Sequence, residues 1–307
     1  MSLALLFSGQ GSQHAGALPW LDRRPEAADI LQLIAATLGA NWRARLVDTA
    51  WATSNEVAQP LITGLSIAAW QCLADKLPRP AVVAGYSVGE LAAFAAAGVF
   101  DMTAAMTLAG VRANAMQRST AGRPTGLLAV HAMTMQHLEP WRERHGLSLA
   151  IRLSGDSCIV GGLASSLDAA QAEFEAAGVR CTRLAINVAS HTHWMAAAAT
   201  EFAQCLSSLR FAVPQVALVC DESATLSREP QVLARSLAAQ IAAPILWDSC
   251  MDTIAERGVG CVLEIGPGSA LSALWRHRYA DIPVRSADEF GSPEAISAWV
   301  DKTLSLR

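Results

Sequence analysis

Short apolar runs that alternate with longer segments at helical spacing are the feature of this 307-residue sequence that most constrains its fold. Such runs suit strands buried on both faces, and their alternation with helices is typical of a parallel sheet covered by helices. The predicted strands are Leu3 to Phe7, Ala81 to Ala84, Val216 to Val219 and Val259 to Ile265. The predicted helices are Glu26 to Leu38, Leu61 to Leu77, Val88 to Ala97, Met102 to Arg118, Leu233 to Ile241 and Trp247 to Glu256.

The middle of the chain has a different order of elements. Its segments read strand, helix, strand, strand, helix, strand: "LLAVHAM", "TMQHLEPWRERH", "LSLAIRL", "SCIVGG", "ASSLDAAQAEFEAAG" and "VRCTRLAI". This βαββαβ order is typical of a ferredoxin-like domain. We therefore predict an α/β protein in which residues 125–187 form an inserted small domain, while residues 1–124 and 188–307 form the large domain.

Composition and charge limit the classes of partner. Hydrophobic residues make up 52% of the chain, which is enough to bury a large core. The formal net charge of −4 gives no overall attraction to nucleic acid or to an anionic membrane, and no basic run is present. We expect neither nucleic acid nor membrane as a partner.

Cysteine usage and the first residues indicate the compartment. The seven cysteines are scattered and include no C-x-x-C pair, which is typical of free thiols in a reducing cytoplasm. The segment "MSLALLFSGQ" lacks a charged leader region, and no run approaches the roughly 18 apolar residues of a membrane span. We expect a cytoplasmic protein.

The stretch "AGYSVGE" places Ser87 between Gly85 and Gly89, at the junction of a predicted strand and a predicted helix. A serine at such a tight turn has its hydroxyl pushed outward, and the glycines remove side chains that would clash. The N–H of Val88 then lies at a helix start, where it can stabilise an oxyanion formed when the serine attacks a carbonyl. The alternative is a tight turn with a serine that has no chemical role.

Two further loops carry candidate groups. Gln10, in "FSGQGSQ" after the first strand, could donate its side-chain amide to the same oxyanion, although such a loop is also an ordinary turn. The segment "NVASHTHWM" supplies His191 and His193, either of which can act as the base for a serine nucleophile. A metal site is the alternative for H-x-H, but no cysteine or carboxylate lies nearby in sequence, and we expect no metal.

Arg112 lies on an otherwise apolar helix face. Burial of a guanidinium requires an anionic partner, and its planar fork suits a carboxylate. The alternatives are an internal Asp or Glu partner, or an arginine that extends to the surface. The neighbours of Arg112 on this face are Ala105, Leu108, Ala109, Ala115 and Met116.

Taken together, the motifs resemble those of malonyl-CoA:acyl carrier protein transacylases. The matching segments, in order, are "FSGQGSQ", "QPLIT", "GYSVGELAA", "VRANAMQ", "VASHTHWM", "PILW" and "EIGPGSAL". The resemblance implies an α/β-hydrolase-like large domain with a ferredoxin-like insert and an active site between them.

The same resemblance implies roles for individual residues. Ser87 is implied as the nucleophile and His191 as its base, in a Ser–His dyad without an acidic third member. Gln10 and the Val88 N–H are implied as the oxyanion hole, and Arg112 as the ligand for the free malonyl carboxylate. A backbone carbonyl, which we place at Gln240, is implied to orient the histidine. Two further positions, Gln59 and Met116, are implied to line the cleft.

Departures from the usual motifs favour one branch of the family. Tyr86 stands where histidine is usual, Ser8 where proline is usual, and Ala243 where asparagine is usual. "GYSVGE" with "SHTHWM" is similar to the malonyl transferase (epsilon) subunit of malonate decarboxylase. This similarity predicts transfer of malonyl from malonyl-CoA to the carrier subunit of that complex, which bears a CoA-derived, phosphopantetheine-type arm. We expect no permanently bound cofactor.

Alternative functions remain open from the sequence. The first is malonyl-CoA:acyl carrier protein transacylase of fatty acid or polyketide synthesis. A serine hydrolase would use the same dyad but let water attack the acyl-enzyme, and a non-catalytic scaffold would use the motifs only as turns. Arg276 and Arg278, near the end of a predicted helix, are candidates for contacts with an acidic carrier or form an ordinary solvated helix end.

Overall fold

The computed structural model of the protein describes residues 2–120 and 122–306, and two sheets organise them. In chain order the strands are β1 (Ser2–Phe7), β2 (Val82–Gly85), β3 (Thr125–His131), β4 (Ser148–Ser154), β5 (Ser157–Leu163), β6 (Cys181–Arg183), β7 (Ala217–Cys220), β8 (Thr225–Leu226), β9 (Ile245–Leu246), β10 (Val259–Ile265) and β11 (Val284–Ser286).

Helices surround both sheets. In chain order they are α1 (Ala28–Leu38), α2 (Trp42–Arg45), α3 (Thr49–Thr53), α4 (Asn55–Leu73), α5 (Gly89–Ala96), α6 (Met102–Ser119), α7 (Met135–His145), α8 (Ala164–Ala176), α9 (Ala196–Ser207), α10 (Pro230–Ala239), α11 (Trp247–Ala255), α12 (Ala270–Arg278) and α13 (Pro293–Ser305). Short 3₁₀ turns cover Pro19–Arg23, Pro25–Ala27, His193–Met195 and Ala287–Glu289.

The larger sheet has the strand order β11-β10-β1-β2-β7-β8, and its strands are parallel except for the short hairpin partner β8. Strands β1 and β10 are apolar and buried along almost their whole length because helices cover both faces of the sheet. Phe7 pairs in register with Gly85 on one side and with Ile265 on the other. The loops that follow β1, β2 and β10 therefore leave the same edge of the sheet.

The smaller sheet has the order β6-β3-β5-β4-β9. Its first four strands are antiparallel neighbours with the order and helix connections of a ferredoxin-like domain, so the predicted fold class, a large α/β domain with a ferredoxin-like small domain, is confirmed. The division at residues 124/125 and 187/188 stays a prediction. Strand β9 comes from the later part of the chain and pairs parallel to β4, which the sequence pattern did not predict.

Alternation along the small-domain strands creates two apolar faces. Leu128 and Val130 of β3 pack with Phe174 under helices α7 and α8. Leu127 and Ala129, which point to the opposite face, join a second cluster that also contains Leu6 and Trp247 of the large domain. One face of the small sheet is thus packed against the edge of the large sheet from which the three loops leave.

The helix around Pro60 differs from prediction. We predicted a helix from Leu61 to Leu77, whereas α4 runs from Asn55 to Leu73 with Pro60 inside it. Proline removes one backbone hydrogen bond, and its ring crowds the carbonyl four residues earlier. Tertiary packing nevertheless keeps this helix continuous, since nearly every residue of α4 is buried. The structure also contains α9 and α13, which we did not predict.

Within residues 2–120 and 122–306, none of the helices combines the length and the apolar character needed to cross a membrane.

Candidate active site

Ser87 lies at the tip of a tight turn between β2 and α5, with a left-handed φ of 55°. A Cβ atom at Gly85 would come within 2.2 Å of the backbone N of Glu90, and one at Gly89 within 2.3 Å of the carbonyl oxygen of Phe7. Both glycines are therefore required for the close approach of helix and strands. The strained turn fixes the serine hydroxyl at the edge where the loops of the large sheet meet.

His191 is in contact with this hydroxyl. Its Nε2 lies 2.8 Å from Ser87 Oγ, and its Nδ1 lies 2.5 Å from the backbone carbonyl oxygen of Gln240. Because a carbonyl can only accept, Nδ1 carries the proton and Nε2 is left free to accept one from the serine. Burial, aided by the charge of Arg112, lowers the pKa of His191 to about 3, so the imidazole is neutral at physiological pH.

Arg112 of α6 approaches Ser87 from the other side. The side chain is 1% exposed, and its Nη2 lies 3.3 Å from Ser87 Oγ. Its other hydrogen bonds go to side-chain amide oxygens, from Nη1 to Gln59 Oε1 (2.7 Å) and from Nη2 to Gln240 Oε1 (3.0 Å), while Nε has no partner among the described residues. Burial lowers the pKa of Arg112 to about 10, so the group stays charged at neutral pH.

No carboxylate of residues 2–120 and 122–306 forms an ion pair with Arg112. The alternative of an internal Asp or Glu partner within ion-pair distance is therefore not what the structure shows. A buried guanidinium that is held by neutral amides and points at a nucleophile leaves a place for an external anion.

Gln59 belongs to a buried chain of polar groups behind Arg112. Its Nε2 donates to Asn55 Oδ1 (2.5 Å) and contacts Met116 Sδ (3.4 Å), and Asn55 donates to the carbonyl of Ala113 (2.9 Å). These bonds hold the acceptor oxygen of Gln59 towards the guanidinium. Gln59 and Met116, both predicted cleft residues, line the same cavity as Ser87.

The two predicted oxyanion donors differ in whether they already have a hydrogen-bond acceptor. The Val88 N–H, at the start of α5, donates to no other group within the described part of the chain. The side-chain amide of Gln10 lines the cavity but donates to the carbonyl of Thr53 (3.1 Å). Donation from that amide to an oxyanion would require its second N–H or a small rotation.

Two acidic residues under the turn were missed by the sequence analysis. The carboxylate of Asp221 accepts the N–H of Ser87 (2.8 Å), and the carboxylate of Glu90 accepts the N–H of Asp221 (2.8 Å). Both side chains are fully buried, and burial raises the pKa of each. For Asp221 the available signal was an acidic residue two positions after the predicted strand Val216 to Val219, but its use required knowing that this strand, β7, lies beside β2.

The space in front of Ser87 is a small cavity of about 50 Å³ between the two domains. Polar groups of the large domain form one side, and the aliphatic side chains of the small domain form the other: Leu127, Ile151, Ile159, Leu184 and Ile186. A groove of about 890 Å³ shares Gln10, Tyr86, Ile159 and Leu184 with this cavity. Besides Tyr86, the charged and titratable residues in its lining are Asp156, Arg180, His277, Arg278 and His131.

Other candidate residues lie away from the serine. His193 is exposed, and its Nδ1 contacts Ser148 Oγ (3.0 Å). The described residues contain no group of three metal-binding side chains. Arg278 pairs with Asp252 (2.6 Å) and Arg276 with Glu289 (3.4 Å), so both candidate docking arginines already have acidic partners.

Comparison with known proteins places this geometry in context. A family model described as acyl transferase domain matches residues 4–292. A malonyl CoA-acyl carrier protein transacylase of Mycobacterium tuberculosis is 33% identical over 292 residues, which cover 92% of this chain and 95% of that protein.

Solved structures extend the comparison to the fold. A malonyl-CoA:acyl carrier protein transacylase from Xanthomonas oryzae is 26% identical, covers 98% of both chains and has a TM-score of 0.89. A malonyl-transacylase solved in complex with a type II polyketide synthase acyl-carrier protein is 24% identical, covers 100% of both chains and has a TM-score of 0.88, which shows a shared fold.

Proposed function

Because the chain belongs to the acyl transferase domain family, we propose that it is an acyl carrier protein S-malonyltransferase that works through an acyl-enzyme on Ser87. The resemblance to malonyl-CoA:acyl carrier protein transacylases that the motifs predicted is confirmed at the family level. The substrate and the residue roles are argued below from the site.

Arg112 is the observation that carries the proposal. It is a buried cation without an ion-paired carboxylate among the described residues, 3.3 Å from Ser87 Oγ. A malonyl thioester has its reacting carbonyl and its free carboxylate separated by a single methylene. The same acyl group can therefore reach the serine with one end and the guanidinium with the other, which an acetyl group cannot do.

Acylation follows from the proton positions. Ser87 Oγ transfers its proton to His191 Nε2 as it attacks the thioester carbonyl of malonyl-CoA, and the free Val88 N–H is placed to stabilise the oxyanion. The C–S bond then breaks, and the His191 imidazolium returns the proton to the departing CoA thiolate. The Gln240 carbonyl stabilises that imidazolium and keeps the ring oriented.

Transfer to the carrier repeats the same steps in reverse. The carrier thiol gives its proton to His191 and attacks the malonyl ester, and Ser87 leaves with the proton from His191. The groove next to the cavity has a volume that can admit a phosphopantetheine-type arm from either CoA or a carrier, and Arg180 in its lining suits a phosphate group. We propose that the protein needs no permanently bound cofactor.

Two carrier proteins are candidates for the malonyl acceptor. We predicted the malonate decarboxylase complex first and fatty acid or polyketide synthesis as the alternative. The relatives described above are named as malonyl CoA-acyl carrier protein transacylases, and they support the alternative better. We therefore propose an acyl carrier protein of fatty acid or polyketide synthesis as the acceptor.

Labelling with radioactive malonyl-CoA tests the proposed nucleophile. We expect one label per chain on Ser87, none in Ser87→Ala, and a full label in Ser190→Ala, which removes the neighbouring cavity hydroxyl instead. Peptide mapping locates the label, and circular dichroism checks that each variant is folded. A folded Ser87→Ala protein that still carries the malonyl group would refute the proposal.

A further inference from the structure

Two buried carboxyl groups lie directly under the turn that carries Ser87, and neither has a role in the reaction described above. We propose that Glu90 and Asp221 form a positioning pair that shares one proton and holds the Ser87 backbone in its left-handed conformation. This inference deepens the proposed function, since it rests on Ser87 being the nucleophile.

A chain of hydrogen bonds connects the pair to the nucleophile. Glu90, in the first turn of α5, accepts the N–H of Asp221, and Asp221, directly after β7, accepts the N–H of Ser87. Strands β2 and β7 are parallel neighbours, which brings the two acids to the same sheet edge. The pair thereby ties the turn after β2 to the loop after β7.

The conformation of Ser87 explains why such a tie is needed. A non-glycine residue with φ of 55° is strained and persists only where its surroundings hold it. Without an acceptor on Asp221, the Ser87 N–H would be unpaired in the interior, and the turn could relax. Because Ser87 Oγ lies 2.8 Å from His191 Nε2, a small rotation of the turn would break that contact.

Unpartnered oxygens and burial point to a shared proton. Among the described residues, Asp221 Oδ1 and Glu90 Oε2 have no hydrogen-bond partner, although both side chains are fully buried. The Asp221 and Glu90 carboxyl groups lie within hydrogen-bonding reach of each other, so a proton on either one supplies a donor for the other. Two full negative charges at this depth would be costly, so one proton and one charge is the favourable state.

The surrounding groups agree with a single negative charge. Arg112 lies beyond ion-pair distance of the pair, and its positive charge favours the one negative charge that the pair keeps. Glu222 adds a further negative charge nearby, which favours proton retention. The remaining titratable neighbours are neutral at physiological pH because burial raises the pKa of each: Tyr86, Cys220 and Cys250.

The sign of the pH dependence follows from proton retention. Above about pH 5 the unfolded chain has ionised most of both carboxyl groups, whereas the folded protein retains one proton. The native state then binds more protons than the unfolded state, so the free energy of unfolding decreases as pH rises from that value towards the raised pKa of the pair. Glu90→Gln removes one titrating group and should reduce this slope.

The experiment compares Asp221→Ala, Asp221→Asn and Glu90→Gln with the wild type, and uses Glu222→Gln as a matched control. Glu222 is the next residue in the chain, but its carboxylate accepts Ser236 Oγ and does not contact the turn. One measurement is the rate at which a fluorophosphonate labels Ser87, which needs no malonyl substrate. The other is the melting temperature at pH 5 and pH 8.

We expect Asp221→Ala to label about tenfold to a hundredfold more slowly than wild type, because a hydrogen bond to a charged acceptor is lost at the nucleophile. Asp221→Asn keeps an acceptor oxygen and should recover to within a few-fold of wild type. The drop in melting temperature between pH 5 and pH 8 should be smaller in Glu90→Gln than in wild type. Glu222→Gln keeps both carboxyl groups of the pair and removes only a minor charge effect, so its drop should stay close to that of wild type.

Three results would overturn the inference. The positioning role fails if Asp221→Ala labels as fast as Glu222→Gln, or if Asp221→Asn is as slow as Asp221→Ala. The shared proton fails if Glu90→Gln keeps the wild-type pH slope. A wild-type protein that reacts with the fluorophosphonate but never with malonyl-CoA would refute the proposed function alone and leave this test intact.

Discussion

Replacing Arg112 with alanine should change the preference between malonyl and acetyl groups rather than lower activity uniformly. The guanidinium is buried, bonded to two amide oxygens and unpaired with any carboxylate among the described residues. A malonyl carboxylate gains charge-assisted hydrogen bonds to it, whereas an acetyl group has no acceptor to offer and leaves the cation without its partner.

The magnitude follows from the number of bonds available. Hydrogen bonds to charged groups contribute about 1.5–3 kcal/mol each, and part of this gain is offset where malonyl displaces an existing contact. A net gain of about 2–4 kcal/mol corresponds to a 30-fold to 1000-fold fall in kcat/KM for malonyl-CoA in Arg112→Ala. The value for acetyl-CoA should stay constant or rise, because the unpaired buried cation is gone.

The assay measures both kcat/KM values together with the melting temperature. Arg112→Met serves as a control for shape, since it keeps an unbranched apolar chain in the space that alanine would leave empty. It should lose malonyl activity as severely as alanine does. Proportional losses on malonyl-CoA and acetyl-CoA in both variants would refute Arg112 as the malonyl ligand.

Three further predictions concern the base and the carrier. His191→Ala should lose most transfer activity in a steady-state assay, while the exposed His193→Ala loses much less; equal losses would contradict the geometry. Since the pKa of His191 is lowered to about 3, the single-turnover acylation rate should be the same at pH 5.5 and pH 7.5, whereas a base with an ordinary histidine pKa would lose about tenfold at the lower pH. If Arg276 and Arg278 contact the carrier, charge reversal at both positions should raise the KM for the carrier. An unchanged KM would show that they only form ion pairs within the protein, Arg276 with Glu289 and Arg278 with Asp252.

Local patterns were sufficient to locate the strand–turn–helix of Ser87 and the apolar face around Arg112. Both signals depend on residues close in sequence: glycines at fixed offsets from the serine, and apolar neighbours one helical turn from the arginine. The same holds for the strands of the small domain, whose βαββαβ order is contiguous in the chain. The contact between Ser87 and His191 required the fold, because 104 residues separate them.

The features that sequence analysis missed depend on which strands are neighbours. Asp221 acts on Ser87 only because β7 lies beside β2, and this pairing has no local signature. Strand β9 is two residues long, too short for periodicity to be visible. Helix α13 did carry a detectable signal, since Ser292 caps it and Pro293 occupies its first position.

The most direct test of malonyl transfer through Ser87 is a chase of the isolated acyl-enzyme. The protein is loaded with radioactive malonyl-CoA, freed of unreacted substrate, and mixed with either a phosphopantetheinylated acyl carrier protein or buffer. We predict that the label moves to the carrier thiol within one turnover and that release of free malonate in buffer is much slower. Release of malonate at the same rate with and without the carrier would identify a hydrolase and contradict the proposed function.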